Sequence, residues 1–302
     1  MGRFIHIMIL NFIVCGAFAQ EKKPVIAFAS DTQQPIPGET IIRKSNHNRK
    51  ATEMIFKDVD KTHPSGFFIL GDLVSLGYKN KTWTAVDTYI KQCTKDLIPV
   101  YATLGNHEVM LNAKKGTKNF QSRFPMYDPA GYVEIIDSIA VILLNSNFDK
   151  MTTAEILAQD NWYNSAVKKL DNDPAVRFIV VGCHHPPYTN SKVVKPSMAV
   201  RQNFVPAFIN SNKCVLFLSG HSHNFERFNM HGKCFLVIGG GGGLHQHLNT
   251  KEVTPDLSAQ YKPMFHYLVI RRLPDSLQIV SRRLKPDFSG FDNGLVFSVT
   301  AQ

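Results

Sequence analysis

Residues 100–108 read Val-Tyr-Ala-Thr-Leu-Gly-Asn-His-Glu, a mostly apolar run closed by a glycine and followed by an amide, an imidazole and a carboxylate. The same construction recurs along the chain. Val25 to Ser30 (VIAFAS) runs into Asp31 and Gln33, and Phe67 to Leu70 (FFIL) runs through Gly71 into Asp72. Phe178 to Gly182 (FIVVG) runs through Cys183 into His184, and Val215 to Ser219 (VLFLS) runs through Gly220 into His221 and His223. A run that is apolar throughout, without alternation, is a strand covered on both faces. Five such strands, each ending in polar side chains, read as an α/β sheet with a site beyond the strands' carboxyl ends.

Working outward, amphipathic helices separate several of these runs. One lies near Trp83 to Leu97. Another covers about Thr153 to Leu170, with Trp162, Tyr163, Ala166, Val167 and Leu170 on one stripe and a capping box from Thr152 and Glu155. Strand, helix, strand predicts right-handed crossovers and parallel pairing. Tyr132 to Ile136 and Ile139 to Leu144 read as a hairpin around Asp137-Ser138. From Cys234 the chain is strand-rich, with five glycines at 239–243. The expected architecture is two mixed β-sheets packed face to face with helices outside.

The first residues read as a secretory signal peptide. Arg3 precedes an apolar run from Phe4 to Phe18, and Ala17-Phe18-Ala19 is a small-residue cleavage site. The run is shorter than the roughly 20 apolar residues of a membrane span, so stable membrane insertion is not expected. Residues 20–302 contain no Ser/Gly linker, charge block or repeat, and read as a single domain exported to the periplasm or beyond the cell. Removing Arg3 with the leader lowers the formal charge of +10 by one. Basic clusters are short and lack interleaved aromatics, so nucleic acid is not an expected partner. Cys93 and Cys183 read as buried thiols. Cys214 and Cys234 begin two strands flanking one loop, which leaves open either a disulfide or two thiols.

The side chains delivered by the strand ends are Asp31, Gln33, Asp72, Asn106, His107, His184, His221 and His223. Carboxylates, amides and imidazoles are ligands for manganese, iron or zinc, and the set is large enough for two ions. Asp72 is the candidate bridge. Paired ions can hold a hydroxide and clamp the attacking and leaving oxygens of a phosphoryl centre. His107 follows a candidate ligand by one residue and suits a proton donor to the leaving group.

Asp31-Thr32-Gln33, Gly71-Asp72, Gly105-Asn106-His107-Glu108, His184-His185-Pro186 and Gly220-His221-Ser222-His223 together resemble the calcineurin-like metallophosphoesterase superfamily over about Val25 to Gly243. The resemblance implies a four-layer fold, with a β-sandwich between helices. It implies one divalent metal ion held by Asp31, Asp72 and His223 with help from Gln33, and a second held by Asp72, Asn106, His184 and His221. His107 would be the general acid and His185 a spacer. The substrate implied is a small phosphorylated molecule.

The sequence departs from the family at named points. Gln33 stands where histidine is usual. Asn224-Phe225-Glu226-Arg227 is similar to purple acid phosphatases, but Ser75 stands where those have tyrosine, which argues against their iron–tyrosinate site. Glu226 and Arg227 are expected to form an ion pair. Gly71-Asp72-Leu73-Val74-Ser75-Leu76-Gly77 lacks the G-D-x-x-D-R-G of protein serine/threonine phosphatases. The expected activity is phosphomonoester hydrolysis. A phosphodiesterase or nucleotide pyrophosphatase on the same site is the alternative enzyme, and a secreted binding protein with a degenerate site the alternative class.

Overall fold

A computed structural model describes residues 24–36, 38, 39, 47–249, 251 and 254–301. The leader and cleavage site expected from the sequence fall outside the described residues. The described chain runs β1 (Val25–Ala29), α1 (Asn48–Thr62), β2 (Gly66–Ile69), α2 (Asn80–Lys95) and β3 (Val100–Ala102). Helices α3 (Asn106–Val109) and α4 (Ala113–Gln121) lead to β4 (Tyr132–Ile136) and β5 (Ile139–Leu143). Next come α5 (Thr153–Asn172), β6 (Phe178–Gly182), α6 (Met198–Asn203), α7 (Val205–Asn210) and β7 (Cys214–Ser219). Five further strands follow: β8 (Phe225–Met230), β9 (Lys233–Ile238), β10 (His266–Arg272), β11 (Leu277–Leu284) and β12 (Phe291–Val299).

These strands form two six-stranded mixed sheets, in the orders β12-β11-β10-β1-β2-β3 and β4-β5-β6-β7-β9-β8. The strands whose ends carry the motifs are central or parallel-paired: β1–β2–β3 in the first sheet and β5–β6–β7–β9 in the second. Alternation along the second sheet explains why its runs are apolar throughout. Val141, Leu143, Val180, Leu216, Leu236 and Ile238 belong to the core between the sheets. Their neighbours Ala140, Ile142, Val181, Phe217, Phe235 and Val237 pack instead with Tyr163 and Val167 of α5 and with Phe204 and Phe208 near α7. Successive side chains point to opposite faces of a strand, so both faces need apolar cover. In the first sheet Phe68 stacks on Phe28 and Tyr101, while Phe67 meets Phe56 of α1 edge-on.

Local signals explain the element boundaries. α5 starts on the capping box, with Thr152 N donating to Glu155 Oε2 at 2.7 Å and Glu155 N donating to Thr152 Oγ1 at 3.3 Å. The β4–β5 hairpin turns on Asp137 (φ 44°) and Ser138 (φ 63°). Two consecutive left-handed residues match the twist of the flanking strands. Cys93, Cys183, Cys214 and Cys234 are all buried free thiols. Cys214 and Cys234 do not pair because they face different sides of their sheet, Cys214 toward the helices and Cys234 into the inter-sheet core.

Candidate metal centre

Each motif sits where its strand stops and the chain reverses. Asp31 (φ 58°), Asp72 (φ 52°) and His221 (φ 63°) adopt left-handed backbone at those points. This conformation is uncommon outside glycine, and strain of this kind persists only where the surroundings enforce it. Here the loops lock one another. Asp31 N donates to Gly71 O at 3.1 Å, Gln33 N to Asp72 O at 2.9 Å, Gly220 N to His184 O at 2.9 Å and Gly243 N to Asp31 O at 2.9 Å. Gly220 packs so tightly on the first motif that a Cβ would collide with Ser30 Oγ and Asp31 Oδ2.

The side chains converge in two groups. Asp31, Asp72 and His223 form one, with ligand atoms within 4.8 Å of one another, and His223 Nε2 lies 3.3 Å from Asp31 Oδ1. His184, His185 and His221 form the other under the same limit. Asp72 joins them: its Oδ2 is 3.3 Å from His184 Nε2. Asn106 Oδ1 is 3.0 Å from the same nitrogen. The structure thus brings together every site residue read from the sequence. His107 enters the same space, its Nε2 3.9 Å from Asp72 Oδ2.

Gln33 fits the set through its amide oxygen. With its nitrogen turned to the backbone carbonyls of Asp31 and Asp72, it donates to both at 3.0 Å. The oxygen then takes the position 3.4 Å from Asp72 Oδ2 and 3.4 Å from His223 Nε2. The opposite orientation would aim the amide oxygen at two other oxygens with no donor between them.

The electrostatics follow from buried carboxylates beside imidazoles. Burial acts to raise the Asp72 pKa, but the charges of His184 and His107 outweigh it and hold the carboxyl well below its usual range. For His184, burial acts to lower the pKa, and Asp72 overrides it and raises the ring to about 9. His223 is raised against burial by Asp31. His221 is driven well down by burial and by the neighbouring His184. An ion held here would displace the protons of His184 and His223, so its affinity would fall as pH drops below their raised values. This exchange of proton for cation, on oriented O and N donors, is what a metal centre requires.

Glu108 is the largest omission from the sequence reading. Its carboxylate accepts Asp72 N and Gly105 N at 2.8 Å on Oε2, and Leu73 N at 2.8 Å and Val74 N at 3.2 Å on Oε1. It ties the β2 loop to the β3 loop from beneath. Its place three residues after Gly105 is a capping-box spacing that could have revealed it. Glu226 and Arg227 do not form the expected ion pair. Glu226 accepts from Thr189 Oγ1 at 2.5 Å and Asn190 N at 2.6 Å, joining the loop after His184 to the start of β8. Arg227 lies over the Phe297 ring at 3.7 Å.

The family profile described as calcineurin-like phosphoesterase matches residues 24–225. The chain belongs to this family. Among solved structures it is similar in fold to the purple acid phosphatase PPD1 of yellow lupin (TM-score 0.64, 14% identity, 93% of this chain and 54% of that one). It is also similar to a dimetal phosphatase from Danio rerio (TM-score 0.59, 12% identity, 92% and 99%). GAP50, the anchor in the inner membrane complex of Plasmodium, is similar too (TM-score 0.66, 14% identity, 93% and 89%). No curated protein sequence matches the chain. This phosphoesterase is a hydrolase of phosphate esters with two candidate ligand groups. No helix among its described residues is long and apolar enough to cross a membrane.

Proposed function

We propose that the protein is a phosphomonoesterase with a two-metal site, exported from the cytoplasm. Asp31, Gln33, Asp72 and His223 would hold the first ion, and Asp72, Asn106, His184 and His221 the second. Bound there, divalent cations supply positive charge to a phosphoryl group and lower the pKa of coordinated water. The observation that carries the monoester reading is the distribution of charge. Asp31, Asp72 and Glu108 are at most 1% exposed, whereas Asn106, His185 and His221 keep partial exposure. With two divalent ions seated over these carboxylates the open face of the site would be net positive, and a dianionic monoester would gain more from it than a monoanionic diester. The apolar leader ending at Ala19 supports export.

His107 supplies the proton. Its Nδ1 lies 2.9 Å from Ser75 O, which fixes the ring and leaves Nε2 in the site. Burial opposes protonation, but the nearby Asp72 and the Ser75 carbonyl together raise its pKa above the usual value. A protonated Nε2 there can donate to a leaving alkoxide. His107→Ala is expected to lower kcat/KM on an alkyl phosphate by about 10²–10⁴-fold, with a much smaller loss on nitrophenyl phosphate and unchanged metal content. Parental turnover of the alkyl ester would remove His107 from this role. Faster turnover of a nitrophenyl diester than of the monoester would favour the phosphodiesterase alternative.

A further inference from the structure

The sequence makes His185 a spacer between His184 and Pro186, yet its ring turns into the candidate site. It lies 4.5 Å from the His221 ring and 4.9 Å from the His184 ring, centroid to centroid. Three imidazoles there are held by one device. His184 Nδ1 lies 2.9 Å from Leu70 O, His223 Nδ1 2.8 Å from Leu244 O and His185 Nδ1 2.9 Å from Ser146 Oγ. Ser146 Oγ also accepts His185 N at 2.9 Å, so one hydroxyl fixes both backbone and ring. Metal-binding histidines are commonly anchored this way at one nitrogen, which orients the other toward the ion.

Resting on the two-metal reading above, we propose that His185 Nε2 is a further ligand of the second ion. The two sites then differ in chemistry. The first offers two carboxylates, an amide oxygen and one imidazole. The second offers three imidazoles, the Asn106 amide and the shared Asp72. Imidazole-rich sets suit zinc, and carboxylate-rich sets suit magnesium or manganese. The second site therefore holds zinc more tightly, while the first takes the harder ion and exchanges it more readily. Gln33, an oxygen donor in place of the family's usual histidine, increases the contrast.

The test is zinc binding to chelator-stripped full-length protein, followed by competition with a chromophoric chelator, with the visible spectrum of bound cobalt as a second readout. Wild type should show two affinity classes. His185→Ala and His185→Gln should each weaken the tighter class by at least about 10-fold, the lower bound for losing even an outer-shell partner. The weaker class should be unchanged and the cobalt spectrum altered. Ser146→Ala, which only frees the ring, should weaken the same class less. Equal thermal midpoints of the stripped proteins will show that the variants fold, and if His185→Ala does not, the glutamine and Ser146 variants decide. Unchanged zinc affinity and cobalt spectrum in a folded His185 variant would overturn the proposal, as would equal loss from both classes. Wild type that binds fewer than two ions would instead overturn the two-metal reading itself.

Discussion

Glu108→Ala is expected to abolish the site by destabilising the fold beneath it. The substitution strands four buried N–H groups, those of Asp72, Leu73, Val74 and Gly105. Each unsatisfied buried donor costs about 1–3 kcal/mol, so the loss is about 4 kcal/mol or more. That is a large share of the roughly 5–15 kcal/mol that stabilises a typical protein, and at this chain length it lowers the thermal midpoint by about 10 °C. Glu108→Gln keeps one oxygen, which can serve two of the four donors, and turns an NH₂ group toward the others. Its cost should lie between parent and alanine. The glutamate also has a cost of its own: burial, and then the neighbouring Asp72, push its pKa up to about 7. Because this is a raised carboxyl pKa, the fold is favoured by its proton below the unfolded value and loses that contribution as pH rises through about 7. A midpoint shift of only two or three degrees for the alanine variant would show that Glu108 is not the tie between the loops.

Asp72→Asn is expected to weaken both ions together and to reduce phosphate release by about 10³-fold, the scale of removing one element of a preorganised electrostatic site. Asp72 contacts both candidate groups. One oxygen accepts His107 N at 2.8 Å, and the other lies 3.3 Å from His184 Nε2 and 3.4 Å from the Gln33 amide. Asparagine keeps the shape and the acceptor for His107 N but removes the charge. The His184 pKa, about 9 chiefly because Asp72 overcomes burial, should fall in the same variant. Proton titration of the imidazoles and metal content measure the two effects independently. Loss of one ion with full retention of the other would mean that Asp72 serves a single site.

The parts of this arrangement that depend on chain-local pattern were legible in the sequence. The strands at Phe178–Gly182 and Cys214–Ser219 announce themselves because both faces are buried, and parallel strands that share a direction must gather their carboxyl ends. Partners distant in sequence were not legible. Glu226 finds Thr189 and Asn190 rather than the adjacent Arg227, and Arg227 finds Phe297, seventy residues on. His185 matches no position of the motif, and its ring's place follows from partners distant in sequence: Ser146, on the loop after β5, and His221. The Gln33 amide could be placed only once the carbonyls of Asp31 and Asp72 were in position to receive it.

The central claim is tested most directly by the metal content of protein purified without chelator, measured with phosphate release from nitrophenyl phosphate before stripping, after stripping and after returning manganese and zinc. The expected result is about two ions per chain, with activity lost on stripping and restored by the metals. Fewer than about one ion per chain, with no turnover after manganese or zinc is returned, would contradict it and leave a family member that binds without catalysing.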